Sequence, residues 1–128
     1  MGAVGSARLL LPKEFMNHIT PAELALWQKN GQDFGLLDVR RAGVRAGHAA
    51  EIAGAHWLDP AAWLDWKDSI GNAKPVVLYC AKGHEISQAL TTALTVLGAD
   101  ARYLVGGMQG WLEDGRPVKP LSPNEAKT

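Results

Sequence analysis

Short blocks of apolar residues alternate along this chain with polar and glycine-containing stretches, and they predict a series of strands. The strongest block, Pro75 to Tyr79, carries two adjacent valines and predicts a buried strand. Phe34 to Arg40 has the same character, while Ala55 to Leu58 and Tyr103 to Val105 predict shorter strands. The spacing between these blocks leaves room for helices.

Helix signals occupy those intervals. Thr20 and Glu23 have the spacing of a capping box around a first-turn proline, which predicts a helix ending near Gly31. Asp59-Pro60 opens a second predicted helix that Gly71 stops, and Met108 to Glu113 predicts a short last one.

The clearest helical period follows the strongest strand. Apolar residues recur there at intervals of three and four, and they predict that one helix face packs against the sheet: Ile86, Ala89, Leu90, Ala93, Leu94 and Leu97. Gly98 stands where a glycine ends a helix. By contrast, residues 41–54 predict a loop that carries one helical turn, and the proline-rich segment after Pro117 predicts a loosely held end.

Alternation of strands and helices over 128 residues predicts one α/β domain. The expected architecture is an open, mainly parallel sheet with helices on both faces. Ligands bind such sheets beyond the carboxyl ends of the strands. We therefore look for the functional site where a predicted strand gives way to a loop.

Charge and cysteine content narrow the function. Thirteen basic residues balance thirteen acidic ones, so no net field favours nucleic acid or an anionic membrane surface, and neither is expected as a partner. No apolar run is long enough to cross a bilayer, and the first residues do not form a secretory signal, which predicts a cytoplasmic protein. One cysteine excludes an internal disulfide and a multi-thiolate metal site, and no histidine has a metal-ligand spacing, so no metal is expected.

That cysteine, Cys80, is the leading candidate for chemistry. It lies between the strongest strand and the most regular helix, where unpaired backbone N–H groups and the positive end of the helix dipole favour a thiolate. A buried, inert cysteine that only fills space is the alternative. The strand–loop–helix context favours the reactive interpretation.

Five segments together resemble the single-domain rhodanese homology modules, in the family's order. They are LLDVR (Leu36 to Arg40), AGH (Ala46 to His48), AGA (Ala53 to Ala55), KPVVLYCAKGH (Lys74 to His84) and YLVGGMQGW (Tyr103 to Trp111). The resemblance predicts an N-terminal extension over 1–17, the rhodanese-like domain over 18–118 and a flexible C-terminal tail over 119–128. It implies a five-stranded parallel sheet and a sulfurtransferase that holds a persulfide on Cys80.

Such enzymes move sulfane sulfur from a small donor such as thiosulfate to cyanide or another thiophilic acceptor, a thiol or a protein among them. The chemistry needs no cofactor, since backbone N–H groups at the helix start can stabilise the persulfide charge. The residues expected to bind the substrate follow Cys80 directly: Ala81, Lys82, Gly83, His84, Glu85 and Ile86. Gly83 lets the loop curl, because glycine adopts a positive φ at little cost.

Some roles in this loop stay open. Lys82 and His84 either attract an anionic donor and assist the leaving group or are solvated loop residues. Glu85 stands where active rhodaneses commonly carry an arginine or a small hydroxyl residue. A carboxylate about 6 Å from a bound anion costs on the order of 3 kcal/mol, which would make thiosulfate a poor substrate. Alternatively, Glu85 points to solvent in the first helical turn, where acids are favoured.

Two further functions compete with sulfur transfer. One is a non-catalytic rhodanese-like binding or regulatory module, which keeps the fold without turnover. The other is an oxyanion enzyme such as a phosphatase, whose longer loop ending in arginine is not found here. For Asp38 and Arg40 the motif implies hydrogen bonds and ion pairs that fix neighbouring loops.

Overall fold

Strands and helices alternate through the computed structural model, which describes residues 17–121. The strands are β1 (His18–Ile19), β2 (Gly35–Asp38), β3 (Ala50–Glu51), β4 (Ala55–Trp57), β5 (Val76–Tyr79), β6 (Ala101–Leu104) and β7 (Lys119–Pro120). The α-helices are α1 (Pro21–Lys29), α2 (Ala42–Gly47), α3 (Trp63–Trp66), α4 (Glu85–Val96) and α5 (Gly107–Glu113). Short 3-10 turns at Pro60–Ala62 and Lys67–Ser69 flank α3.

Five of the strands form one parallel sheet in the order β1-β6-β5-β2-β4, which confirms the predicted architecture. The strand β5 lies in the centre of the sheet. Its register against β2 pairs Asp38 with Tyr79, and the Val39 N–H donates to the Tyr79 carbonyl at 2.9 Å. The carboxyl ends of β2 and β5 are therefore level, and the loops that follow them lie side by side.

Each face of the sheet has its own core. Alternate residues of β5 point to opposite faces, as strand geometry requires. Val77 and Tyr79 pack with Leu24 and Trp111 from α1 and α5, whereas Leu78 and Cys80 belong to the opposite cluster with Leu94, Trp66 and Val39. The Cys80 side chain therefore lies on the face covered by α4.

The predicted apolar stripe of α4 is confirmed in part, since Leu94 is buried and Ile86 and Leu90 are partly buried against the same core cluster. Ser87, Thr91 and Leu94 are the buried residues of this helix, while Leu97 is 53% exposed. The helix begins directly after the short loop that follows Cys80. Two small polar residues, Ser87 and Thr91, lie on its inner face, and Ser87 contacts the Cys80 sulfur there.

Two other segments differ from the prediction: residues 41–54 contain more regular structure than expected, and the helix after Asp59 is less regular than expected. The segment 41–54 contains α2 and β3 rather than a single helical turn. The helix opened by Asp59 caps as expected, with its carboxylate accepting from the Ala61 N–H, but it divides into 3-10 and α pieces. Proline in the first turn starts this helix, and Trp66 Nε1 then donates to the Asp59 carbonyl, which holds the broken turns together.

Residues 119–121 of the segment assigned to a C-terminal tail make defined contacts. β7 pairs antiparallel with β3, and the Leu121 N–H donates to the Ala49 carbonyl at 3.1 Å. Residues 1–16 and 122–128 lie outside the described residues, so the extension and tail boundaries stay predictions. Within residues 17–121 no helix combines the length and apolar character needed to cross a membrane.

Candidate active site

Cys80 directly follows β5, at the level where the loop after β2 begins. Its side chain is 6% exposed, and Sγ lies 3.2 Å from Oγ of Ser87, on the inner face of α4. The cysteine borders a cleft of about 350 Å³ that opens to solvent. The thiol is thus held by a polar neighbour on one side and can be reached from the other.

The loop after Cys80 curls through Gly83, which has a φ of +72°, and enters α4 at Glu85. None of the backbone N–H groups from Ala81 to Ile86 donates a hydrogen bond to another group within residues 17–121. Gln88 secures the curl instead, since its Nε2 donates to the Gly83 carbonyl at 2.8 Å. Unpaired N–H groups at a helix start are suited to binding an anion.

The first turn of α5 fixes the opposite side of this loop. The N–H groups of Met108 and Gln109 donate to the carbonyls of Cys80 and Ala81, each at 2.9 Å. The carbonyls of Cys80 and Ala81 are therefore paired with α5. The sequence predicted Gly106-Gly107 only as a tight turn; the structure adds that Gly107 packs directly on the loop backbone.

Six of the seven predicted site residues border the cleft: Cys80, Ala81, Lys82, His84, Glu85 and Ile86. Gly83 is buried beneath them. Lys82, His84 and Glu85 are exposed at the rim. Glu85 was expected either to repel a bound anion or to point to solvent. It does both in part, since it borders the cleft and is also in contact with water. Water screening reduces its repulsion of an anion several-fold compared with a buried carboxylate.

The other wall of the cleft comes from the loop after β2, and the site residues predicted from the sequence did not include it. Arg40, Arg41 and Val44 line this wall. Arg41 is exposed and forms no ion pair in the described part of the chain. The sequence did offer a signal that Arg41 belongs to the cleft, because Arg41 lies one residue after the DVR motif, at the end of a strand adjacent to β5. Arg41 and Lys82 together outweigh the single charge of Glu85 at the rim.

The rhodanese-like domain model matches residues 20–114, a span that includes both walls of the cleft. The chain belongs to the rhodanese-like domain family. No curated protein matches its sequence.

Solved structures of rhodanese-like proteins share this fold. A rhodanese-related protein from Thermoplasma volcanium is 25% identical, with a TM-score of 0.67 over 80% of this chain and 96% of its own. A rhodanese-like domain protein from Staphylococcus aureus is also 25% identical, with a TM-score of 0.67 over 74% of this chain and 90% of its own. A thiosulfate sulfurtransferase from Pseudomonas aeruginosa is 24% identical with a TM-score of 0.67, but the match spans 84% of this chain and only 20% of that protein.

A buried ion network supports the cleft wall of this rhodanese-like domain. Arg40 donates from Nε and Nη2 to the carboxylate of Asp38, at 3.0 and 2.7 Å, and also reaches the carbonyls of His48 and Ala50. Arg45 bridges Asp38 and Glu51, at 3.3 Å to each. Asp38 and Arg40 thus fix the loop from β2 to β3, which is the role the motif implied.

Two pKa values in this region are shifted from their ordinary range. Burial disfavours the charged Arg40 guanidinium, but the hydrogen bonds and charge of Asp38 outweigh it and raise the pKa of Arg40. Burial also raises the pKa of Tyr79, and the nearby Asp38 carboxylate adds to the effect. Arg40 therefore stays charged and Tyr79 neutral under ordinary conditions.

Within residues 17–121 no group of three or more His, Cys, Asp or Glu residues could hold a metal ion. The residues that are brought together are a cysteine, unpaired N–H groups and rim cations. This arrangement suits a sulfur nucleophile and an anionic ligand.

Proposed function

We propose that this rhodanese-like domain is a sulfurtransferase that carries sulfane sulfur as a persulfide on Cys80. The donor is a small sulfur compound such as thiosulfate, and the acceptor is cyanide, a small thiol or a protein cysteine. The observation that carries the proposal is the position of Cys80 between an open cleft and a loop whose N–H groups are unpaired. Membership of the family supports the same reaction class.

The first half-reaction loads the cysteine. The Cys80 thiolate attacks the outer sulfur of thiosulfate, a new S–S bond forms, and the old S–S bond breaks with its electron pair leaving on sulfite. The product is Cys80–S–S⁻, with the negative charge on the outer sulfur. The reaction is covalent catalysis by an activated nucleophile, and each step is easier than direct transfer.

The second half-reaction unloads it. The acceptor, cyanide for example, attacks the outer sulfur and departs as thiocyanate, while the electron pair of the broken S–S bond returns to Sγ. No net oxidation of the protein takes place. A cytoplasmic location suits this cycle, because a reducing compartment keeps Cys80 free between turnovers.

Backbone and rim charges supply the electrostatics. We assign the loop from Ala81 to Ile86 as the cradle for the outer sulfur, since its N–H groups have no other partner in the described chain. Lys82 and Arg41 attract an anionic donor to the cleft, while Glu85 opposes it. The net positive charge of these three rim residues favours the entry of an anion only modestly. The cleft therefore accommodates donors with a single negative charge in addition to thiosulfate.

Mass spectrometry of the intact protein tests the proposal. Incubation with thiosulfate or glutathione persulfide should add one sulfur atom to the wild-type chain and none to Cys80→Ser. Subsequent addition of cyanide should remove the sulfur and release thiocyanate. A wild-type protein that gains no sulfur from either donor, or a Cys80→Ser variant that gains as much, would overturn it.

A further inference from the structure

Ser87 is the residue whose side chain forms a polar contact with the candidate nucleophile in the described part of the chain. Its side chain is fully buried in the first two turns of α4, and Oγ lies 3.2 Å from Cys80 Sγ. The Ser87 side chain makes no other hydrogen bond within residues 17–121. A buried hydroxyl needs a partner, and here that partner is the sulfur.

A hydroxyl suits both states of this sulfur. Either atom can donate when Cys80 is a neutral thiol. A thiolate can only accept, so the Ser87 O–H must then donate to Sγ. Hydrogen bonds to a charged acceptor are stronger than those between neutral groups.

From this contact we propose that Ser87 is a catalytic residue that stabilises the Cys80 thiolate as the leaving group when sulfur is passed to the acceptor. The inference rests on the proposed function. In the loaded state the charge sits on the outer sulfur, and Sγ is a neutral thioether-like atom. Its hydrogen bond with Ser87 is then weak.

As the acceptor attacks, the S–S bond breaks and its electron pair moves onto Sγ. The Ser87 hydroxyl lies where this charge develops, so its hydrogen bond strengthens in the transition state, and no proton is transferred. Only interactions that strengthen in the transition state accelerate a step. Ser87 should therefore accelerate unloading.

Loading should respond differently. There the thiolate is the attacking group, and a donor that stabilises it also lowers its nucleophilicity, although it raises the fraction of thiolate. The two effects offset each other. Removal of the hydroxyl should therefore change the loading rate little, and the signature of Ser87 is an unequal effect on the two half-reactions.

Thr91 provides a matched control. It lies one turn further along the same inner face, is also buried, and its hydroxyl has no hydrogen-bond partner within residues 17–121. Thr91→Val removes this hydroxyl with almost no change in shape. The substitution disturbs the packing of α4 about as much as Ser87→Ala does, without removing the contact with sulfur.

Single-turnover kinetics with thiosulfate and then cyanide test the inference. Ser87→Ala should slow unloading by about tenfold, the effect of losing one hydrogen bond to a charged group, and change loading by less than about threefold. Thr91→Val should leave both rates at the wild-type level. An unchanged unloading rate in Ser87→Ala would overturn the role. So would loading and unloading that slow by the same factor in Ser87→Ala, or a Thr91→Val variant that slows both steps as much as Ser87→Ala does.

Alkylation of Cys80 by iodoacetamide gives a readout that needs no sulfur transfer. Without the Ser87 donor the pH profile of alkylation should move to higher pH in Ser87→Ala, whereas Ser87→Thr, which keeps the hydroxyl, should stay near wild type. If the wild type fails to load sulfur but the alkylation profiles of Ser87→Ala and wild type still differ, the proposed sulfurtransferase activity is rejected while the hydrogen bond between Ser87 and Cys80 is retained. Identical alkylation profiles in Ser87→Ala and wild type would reject the contact itself.

Discussion

Gly83 and Gly107 approach each other so closely that neither position has room for a side chain. A Cβ on Gly83 would lie 2.7 Å from the Gly107 nitrogen, and a Cβ on Gly107 would meet the carbonyl oxygen of Cys80. Both residues also have positive φ. The loop after Cys80 and the start of α5 therefore pack backbone against backbone, and α5 pairs the carbonyls of Cys80 and Ala81.

Substitution of Gly107 should lower the stability of the domain. Gly107→Ala adds a backbone collision to the strain of a positive φ, so we expect it to cost more than about 2 kcal/mol of unfolding free energy. Gly31→Ala is the control, because Gly31 has a φ of +70° with open space around it and should cost only about 1 kcal/mol. Urea denaturation measures the unfolding free energy of both variants. Equal losses in Gly107→Ala and Gly31→Ala would show that the close packing at Gly107 is unimportant.

Removal of the Glu85 charge should improve the use of anionic donors. Glu85→Gln removes one negative charge from the rim, so we expect the KM for thiosulfate to fall by about two- to fivefold, and less at high salt, because the charge is exposed. Asp65→Asn removes another exposed negative charge, on α3 and outside the cleft lining, and should leave the KM unchanged. Steady-state thiocyanate release at two salt concentrations provides the measurement. Equal KM values for Glu85→Gln and wild type would refute the electrostatic role.

The buried ion network should be sensitive to the loss of Asp38. Asp38→Asn leaves the Arg40 guanidinium buried without its counter-charge, so we expect a loss of about 3–5 kcal/mol in unfolding free energy. Asp33→Asn breaks the exposed 3.5 Å pair with Lys74 and should cost less than about 1 kcal/mol. Denaturation in guanidinium is unsuitable because it screens charge, so urea is the denaturant. A cost for Asp38→Asn as small as that of Asp33→Asn would contradict the assignment.

Tyr79 should make the domain less stable at alkaline pH. Burial raises its pKa above the ordinary value of 10.0, so the folded state keeps its proton at a pH where the unfolded chain loses it. The ionisation of Tyr79 therefore does not affect stability below about pH 10, and above it stability falls by at most about 1.4 kcal/mol per pH unit.

The comparison of wild type with Tyr79→Phe isolates this effect. The variant loses the hydrogen bond from the Ile52 N–H at all pH values, so it should be less stable at pH 8. Its unfolding free energy should decline more slowly than that of wild type between about pH 10 and 11.5. Parallel curves over that range would show that Tyr79 ionises as readily in the folded state as in the unfolded chain.

Local features of the sequence predicted most of the sheet. The strands β2, β4 and β5 lie within the predicted blocks, whereas β6 begins two residues before its block at Tyr103, and the capping box of Thr20 and Glu23 forms as its spacing requires. The loop from Cys80 to Ile86 was also found, because all of its residues are adjacent in the chain and the strand–loop–helix order is a local signal. The apolar stripe of α4 was found in part: Leu90 and Leu94 pack against the core as predicted, but hydrophobicity alone placed Leu97 inside and overlooked Ser87.

What the sequence by itself determined is the parallel α/β domain, its family and the position of Cys80 at the end of a strand and the start of a helix. Only the tertiary structure decided which groups surround that sulfur. Arg41, Ser87 and Gly107 reach the site through the register of β2 against β5, the rotation of α4 and the docking of α5 on the loop. These relationships depend on contacts between segments far apart in the chain, and no local pattern of hydrophobic and polar residues encodes them.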